Sequence, residues 1–298
     1  MRCVAFAFLA VFQLSSQIPS RPSITGIAHV GFFVSDMDKA DAFYGKALGY
    51  DHFSLDKPAG GLMLNYYKVN DHQYVEIYPG LKGDEDRLSH VAFETRDARQ
   101  MRDYLAAKGM KVPAQLKPGL DGNYSFMVDD PEGRRIEFVQ YVKSGLHGRQ
   151  FGTLPGAARV SDHIIHAGFV VHDRAAEDAF YHGILGFELM WYGGKTDTDV
   201  NWVDMRVPDG TDWIEYMLGV QNPSVKTRGV MNHFALGVKD IQAADKAVMD
   251  HGFTPGEKPK IGRDGKWQLN LYDPDLTRVE LMEFTPAETP CCSKMMTK

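Results

Sequence analysis

Cysteine is scarce here, with three in 298 residues. Cys3 falls in an apolar N-terminal run, and Cys291 and Cys292 are neighbours near the other end. That spacing gives neither a disulfide framework nor a zinc knuckle. Adjacent cysteines close a strained ring if they pair, so the expectation is an exposed, incidental couple. Positive charge is not in excess either: 33 Lys and Arg face 39 Asp and Glu, for a formal net charge of -6, without a basic cluster. Such a chain has no net attraction for phosphate backbones, and nucleic acid is not expected as a partner. No apolar run reaches the roughly 20 residues of a spanning helix, so no membrane contact is expected of the mature chain. Walker loop, nucleophile elbow and dinucleotide fingerprint are all missing.

What is present begins with a short leader. Met1-Arg2 precedes an apolar stretch from Cys3 to Phe12, and Leu14-Ser15-Ser16-Gln17 follows. Charged n-region, brief h-region and small polar residues read as a signal peptide over 1–20, with mature sequence starting near Arg21. A secreted or periplasmic protein is expected, with the cytoplasm as the alternative. The remaining length suits about two ordinary domains, in a monomer or homodimer.

Self-similarity organises those domains. Ile27-Ala28-His29-Val30-Gly31-Phe32-Phe33-Val34, leading to Ala42-Phe43-Tyr44 and Leu48-Gly49-Tyr50, returns 137 residues later. The second copy is Ile165-His166-Ala167-Gly168-Phe169-Val170-Val171, leading to Ala179-Phe180-Tyr181 and Leu185-Gly186-Phe187. A constant offset over more than twenty residues marks an internal duplication. A second pair, His90 with His233 and Asp130-Pro131 with Asp273-Pro274, repeats at an offset of 143.

Four units result, each reading as a strand, an amphipathic helix and further strands. The first spans about Ser23–Tyr78 and the second about Leu88–Val142, with Lys111–Leu116 expected as one of its strands. Residues 143–159, rich in Gly and polar groups, read as a linker. Units three and four cover about Ser161–Gly219 and Val230–Phe284, and 286–298 is expected to be a disordered tail. The domains are therefore 23–142 and 160–285.

Each unit opens with a histidine on its first strand: His29, His90, His166 and His233. Each closes with a glutamate inside an apolar strand: Glu76, Glu137, Glu215 and Glu280. A lone carboxylate on the inner face of a sheet is costly to desolvate. A divalent cation held by two His and two Glu removes that cost, and these donors suit zinc, nickel, iron or manganese. Two residues after each histidine comes Gly31, Ala92, Gly168 or Ala235. Residues two apart share a strand face, so this is expected to leave free volume beside the imidazole. Phe43, Tyr44, Phe180 and Tyr181 sit at helical spacing and read as core. His72, His147, His163, His172, His182 and His251 read as surface.

The motifs His-Val-Ala-Phe at 90–93, Asp-Asp-Pro-Glu-Gly-Arg-Arg-Ile-Glu at 129–137, His-Ala-Gly-Phe-Val-Val at 166–171 and Asp-Pro-Asp-Leu-Thr-Arg-Val-Glu at 273–280 resemble the vicinal oxygen chelate (VOC) superfamily. That is the fold of glyoxalase I, extradiol dioxygenases and bleomycin-resistance proteins. The resemblance covers about residues 23–285 and implies an α+β fold of four βαβββ modules, paired into two cupped mixed sheets flanked by helices. It also implies that two modules share one metal, each giving a His and a Glu. If sequence neighbours pair, the sites are His29, Glu76, His90, Glu137 and His166, Glu215, His233, Glu280. If the halves cross, units one and four share a site, and so do two and three.

Three functions follow from that resemblance. A glyoxalase-like lyase or isomerase would bind a small substrate to the metal through two adjacent oxygens and pass through an enediolate. Glu137 and Glu280 would be its proton-transfer bases, with Glu76 and Glu215 as counterparts. An Fe(II) extradiol dioxygenase would use two His and one Glu, and usually has a tyrosine ten residues before the last Glu. Met127 and Asn270 stand there instead, with Tyr124 and Tyr272 nearby. A non-catalytic small-molecule binder of the same fold often lacks the ligands altogether. Export argues against glutathione as cosubstrate, and its binding signature is absent.

Overall fold

The structure is a computed structural model that describes residues 19–296. The signal-peptide expectation falls almost wholly outside the described residues. Among the described residues, no helix is long and apolar enough to cross a membrane.

The first half contributes strands β1 (Ile24–Val34), β2 (His52–Asp56), β3 (Leu62–Lys68), β4 (Tyr74–Pro79), β5 (Leu88–Thr95), β6 (Tyr124–Asp129) and β7 (Arg135–Gln140). They form one mixed sheet in the order β2-β3-β4-β1-β5-β7-β6. The second half contributes β8 (Ile164–Val170), β9 (Glu188–Gly193), β10 (Trp202–Arg206), β11 (Trp213–Met217), β12 (His233–Val238), β13 (Lys260–Ile261), β14 (Trp267–Tyr272) and β15 (Arg278–Glu283). Their order is β13-β14-β15-β12-β8-β11-β10-β9. In each sheet the two module-opening strands meet antiparallel at the centre, β1 on β5 and β8 on β12. Each is flanked by its own closing strand in parallel, β4 beside β1 and β15 beside β12. Sequence neighbours therefore pair, which decides between the two arrangements left open by the sequence.

The helices are α1 (Met37–Ala40), running on as a π-helical turn through Asp41–Ala47, then α2 (Ala98–Ala107), α3 (Leu146–Arg149), α4 (Arg174–Tyr181), α5 (Val225–Met231) and α6 (Ile241–Asp250). The four that follow a module-opening strand begin on an aspartate: Asp36, Asp97, Asp173 and Asp240 accept bonds from backbone N–H groups of the first turn. Such caps contribute about 1 kcal/mol each, so the repeat extends to how each helix starts.

Alternation along the central strands divides the molecule into layers. His29 and Gly31 point into the cup, while Val30 and Phe32 point to the opposite, helix-covered face. On that face the halves share one hydrophobic core, with Phe32 against Phe234 and Phe93 against Phe187 at ring distances of 5.7 and 5.2 Å. The duplicated tyrosines are core, as expected, and each crosses to the other half. Tyr44 donates to Asp273 at 3.0 Å and Tyr181 to Asp130 at 3.4 Å. Both aspartates open the hairpin turns whose Asp-Pro pairs repeat in the sequence.

Four details differ from expectation. Lys111–Leu116 forms no strand, and only an isolated Pro118–Tyr124 bridge stands in that region. Pro113 and Pro118 lack the N–H that a ladder needs. The linker contains α3 and folds back over the first sheet, tied down by the buried Lys68 ammonium, which donates to the carbonyls of Gln150 and Thr153 at 2.5 Å. His147 is consequently buried, not on the surface. The expected disordered tail is ordered through residue 296. Ala287 and Cys291 donate to Gly265 and Arg263, and Met296 donates to Met190 on β9. An unpaired strand edge gave the polar tail the backbone partners that its sequence does not advertise. Cys291 and Cys292 are joined as a disulfide within this strap, half-buried instead of exposed.

Candidate metal centres

Both cups bring their four expected ligands together. In the first, His29 Nε2 and His90 Nε2 lie 3.0 Å apart, and Glu137 Oε2 is 3.2 Å from each. Glu76 completes the set at 3.4 Å from His29 and 3.5 Å from His90. In the second, His166 Nε2 and His233 Nε2 are 3.1 Å apart. Glu215 is 3.3 Å from His233 and Glu280 is 3.5 Å from His166. Ligands held about 2.0–2.2 Å from one ion, at tetrahedral or octahedral angles, stand roughly 3.0–3.5 Å from each other. His29, Glu76 and His90 in the first cup, and His166, Glu215 and His233 in the second, have donor atoms that all lie within 4.8 Å of one another. Each set could hold a divalent ion, with Glu137 and Glu280 beside them.

Strand register explains the convergence. His29 lies opposite Ala92 and Gly31 opposite His90 in the β1–β5 pair, and β8–β12 repeats this with His166–Ala235 and Gly168–His233. The small residues therefore do not leave open volume beside their own histidine. They seat the histidine of the facing strand. A Cβ on Gly31 would come within 2.6 Å of the His90 ring, and one on Gly168 would overlap His233. Glu76 and Glu215 come from the parallel neighbours of β1 and β8, level with Gly31 and Gly168.

The two surroundings differ. In the first cup, Tyr141 bonds His29 Nδ1 at 3.1 Å, Ser89 bonds His90 Nδ1 at 3.1 Å, and Tyr78 donates to Glu76 at 2.6 Å. The ring of His147 packs 4.5–4.6 Å from those of Tyr66, Tyr74 and Tyr141, so α3 closes that side of the cup. Burial pushes the His147 imidazole down to about 3, so it packs there neutral. Burial opposes charge on both His29 and Glu137. The carboxylates Glu76 and Glu137 nevertheless hold His29 above its ordinary value, and hydrogen bonds from both imidazoles hold Glu137 well below its own.

The second cup opens onto a cavity of about 300 Å³, walled by Trp191, Trp202 and Trp213 and reached by Arg278, Arg263 and Lys260. Burial, reinforced by the nearby Arg278 charge, drives His166 and His233 well below the usual imidazole value. Burial also lifts Glu215 and Glu280 to about 7. A bound cation reverses this balance by favouring the ionised carboxylates. His233 donates from Nδ1 to the Met231 carbonyl at 2.8 Å, which leaves the Nε2 lone pair facing inward. Arg278 donates into that lone pair at 2.6 Å. A cationic side chain thus stands where the donor set invites a cation.

Sequence reasoning missed one residue of the second cup. Asp204 lies across from Glu215 in the β10–β11 pair, buried, with Oδ1 lacking a hydrogen-bond partner. Burial and Glu215 lift it well above the ordinary carboxylate value. Its signal was an aspartate in the apolar run Trp202-Val203-Asp204-Met205. Asn270 faces Glu280 across β14–β15. Tyr272 is turned to Glu257 at 3.0 Å. His163, read as surface, is half-buried against Asp212 at 2.7 Å.

Two family models, both described as the Glyoxalase/Bleomycin resistance protein/Dioxygenase superfamily, match residues 26–138 and 165–270. The chain belongs to that superfamily. No curated protein matches it. Among solved structures, the 2,3-dioxygenase LapB from Pseudomonas sp. KL28 is 14% identical and covers 90% of this chain and 97% of its own, with a TM-score of 0.64. Homoprotocatechuate 2,3-dioxygenase from Brevibacterium fuscum, in complex with 3,4-dihydroxyphenylacetate, is 19% identical, with coverages of 95% and 88% and a TM-score of 0.65. A Mn(II)-bound glyoxalase from Novosphingobium aromaticivorans is 21% identical, with coverages of 88% and 83% and a TM-score of 0.64. These likenesses run over nearly the whole chain and show its fold, while each half by itself matches one copy of the family model.

Proposed function

We propose that the chain is a metal-dependent, glyoxalase-like lyase or isomerase whose working site is in the second half. Its substrate is a small molecule that presents two adjacent oxygens to the metal. The observation that carries this reading is a complete ligand set of two His and two Glu opening onto a cavity of about 300 Å³. His166, His233, Glu215 and Glu280 would hold the metal, which as a Lewis acid would make the carbon next to a bound carbonyl more acidic.

The remaining work falls to the chain. Glu280 is placed to take a proton from one carbon and return it to the next, with Glu215 on the other side of the histidine pair as its counterpart. A carboxylate that the cation keeps ionised can accept the proton from one carbon and return it to its neighbour. Trp191 and Trp213 keep water from the apolar side of the substrate. Asn270, opposite Glu280, offers an amide for orientation.

The competing reading is extradiol ring cleavage, favoured by the dioxygenase fold neighbours. The second carboxylate exceeds the two-His, one-carboxylate set which that chemistry uses. Asn270 also occupies the place of that family's usual tyrosine. Parallel assays separate the two. The nickel- or zinc-loaded protein is expected to isomerise the hemithioacetal of a small, non-peptide thiol such as mercaptoacetate, and the iron-loaded protein under air is expected not to open a catechol. Ring opening without isomerisation would replace this reading with the second. We also propose export, which N-terminal sequencing of the mature protein tests: a start near Arg21 is expected, and a retained Met1 refutes it.

A further inference from the structure

The second cavity carries a guanidinium that makes no ion pair among the described residues, Arg278, with Glu215 and Glu280 its nearby carboxylates. Four cationic side chains line or underlie the cavity. Lys260 is paired with Glu257 at 3.0 Å, Arg263 with Asp197, and Lys266 with Asp264 at 3.6 Å, the last also lying over the Trp213 ring. Arg278 has no carboxylate within ion-pair distance among the described residues, and its Nε is buried without a hydrogen-bond partner. Its one described side-chain bond goes to the lone pair of His233 Nε2.

That bond and a metal ion exclude each other, because both use the same lone pair. When Glu215, Glu280 and the two imidazoles hold a cation, the guanidinium must turn away from a second positive charge. It remains close by, since Arg278 is two residues before Glu280 and shares its face of β15. Asp204 makes no ion pair with it, because that carboxyl lies across from Glu215 in the β10–β11 pair. A half-buried guanidinium without a counter-ion is costly, and a planar fork of donors matches a carboxylate. The first half is an internal contrast. Arg135, the equivalent residue two before Glu137, is exposed and lines a different cavity at the boundary between halves.

We infer that Arg278 is the anion-recognition residue of the second site, and that the substrate is a small carboxylate or equivalent anion carrying its two adjacent oxygens close to the charged group. The assignment rests on the chelating site proposed above and narrows its substrate class. The indole walls leave room for a short apolar body. The cavity lies at the small end of the ~300–1,000 Å³ common for ligand sites, which suits a small substrate.

Hydroxamates bind metals through two adjacent oxygens and serve as probes without turnover. The full-length nickel-loaded protein is titrated calorimetrically with the monohydroxamate of succinic acid and with its carboxamide, which matches it in size but is neutral. The wild type is expected to prefer the carboxylate at least tenfold. Arg278→Gln, checked for unchanged metal content, is expected to bind both within about twofold, with the carboxamide affinity preserved. Arg278→Lys should recover part of the preference. Equal binding of the two probes by the wild type overturns the anion assignment while leaving the chelating site intact. A preference that survives in Arg278→Gln assigns the anion to another cation and also overturns it. If neither probe binds, the proposed chelating site itself fails, and this inference with it.

Discussion

Tyr78 donates to Glu76 at 2.6 Å from two residues along the same strand face. The duplicated position beside Glu215 is Met217, which has no hydroxyl to offer. Three of the four ligands in the first cup have an oriented neighbour in Tyr78, Tyr141 and Ser89, and such partners commonly change metal affinity by about 10–100-fold. The first centre should therefore hold its metal more tightly than the second. Chelator titration of the loaded protein should resolve two classes of ion, and Tyr78→Phe should weaken only the tighter class, by about tenfold. One class of site, or an unchanged titration in the variant, refutes the asymmetry.

Glu280 is the residue on which the proposed chemistry turns. Replacing it with glutamine keeps its shape and removes the proton acceptor. Turnover should fall by about 10²–10⁴, with the thermal midpoint moving only a few degrees. Glu137→Gln makes the same change in the walled first cup and should cost little activity. Equal losses in the two variants would mean that both halves work.

Much of this architecture was legible in the sequence. A constant offset exposes duplication because copied residues keep their spacing, and mid-strand charge in an apolar run is too costly to be accidental. All eight side chains that meet in the two cups were recoverable on those grounds. Pairing of modules was not, since local periodicity says nothing about which strands meet across a sheet. His147 escaped for a related reason: its burial depends on where a linker without periodicity comes to rest. Asp204 has no equivalent in the first cup, where Tyr66 faces Glu76, so a search for repetition passes over it. Arg278 does repeat, as Arg135, but Arg135 turns outward, so repetition alone gives it no role.

Glu177 is a buried carboxyl outside either centre. Neither oxygen has a hydrogen-bond partner, and Arg134 comes no nearer than 3.9 Å. Burial and the neighbouring Asp130 lift it to about 8, against 4.5 when exposed. Below pH 4.5 it is protonated in both folded and unfolded chains and does not affect stability. Between 4.5 and 8 the unfolded chain ionises it while the folded chain does not, so stability is lost as pH rises, by on the order of a few kcal/mol in full. Glu177→Gln removes that loss. Urea melts should show the variant more stable than wild type at pH 9 and nearly equal to it at pH 4. A gap that does not widen with pH would mean that Glu177 ionises freely in the fold.

Gly168 offers the most economical test of how the second centre is built. It lies in regular strand opposite His233, so alanine suits its backbone. The added Cβ, however, would overlap the His233 imidazole. That ring is fully buried and bonded through Nδ1 to Met231, so it has little freedom to give way. Closely packed interiors answer such intrusions by moving a side chain or the backbone, at a cost of about 1–3 kcal/mol. Here the movement would break the 3.1 Å approach of the two Nε2 atoms. Gly168→Ala should therefore fold, lose metal from the second half and lose activity, while keeping the ion of the first half. Elemental analysis should show one equivalent retained where the wild type holds two. Two retained equivalents with normal activity would show that the ring has somewhere to go, and that the glycine is not what seats it.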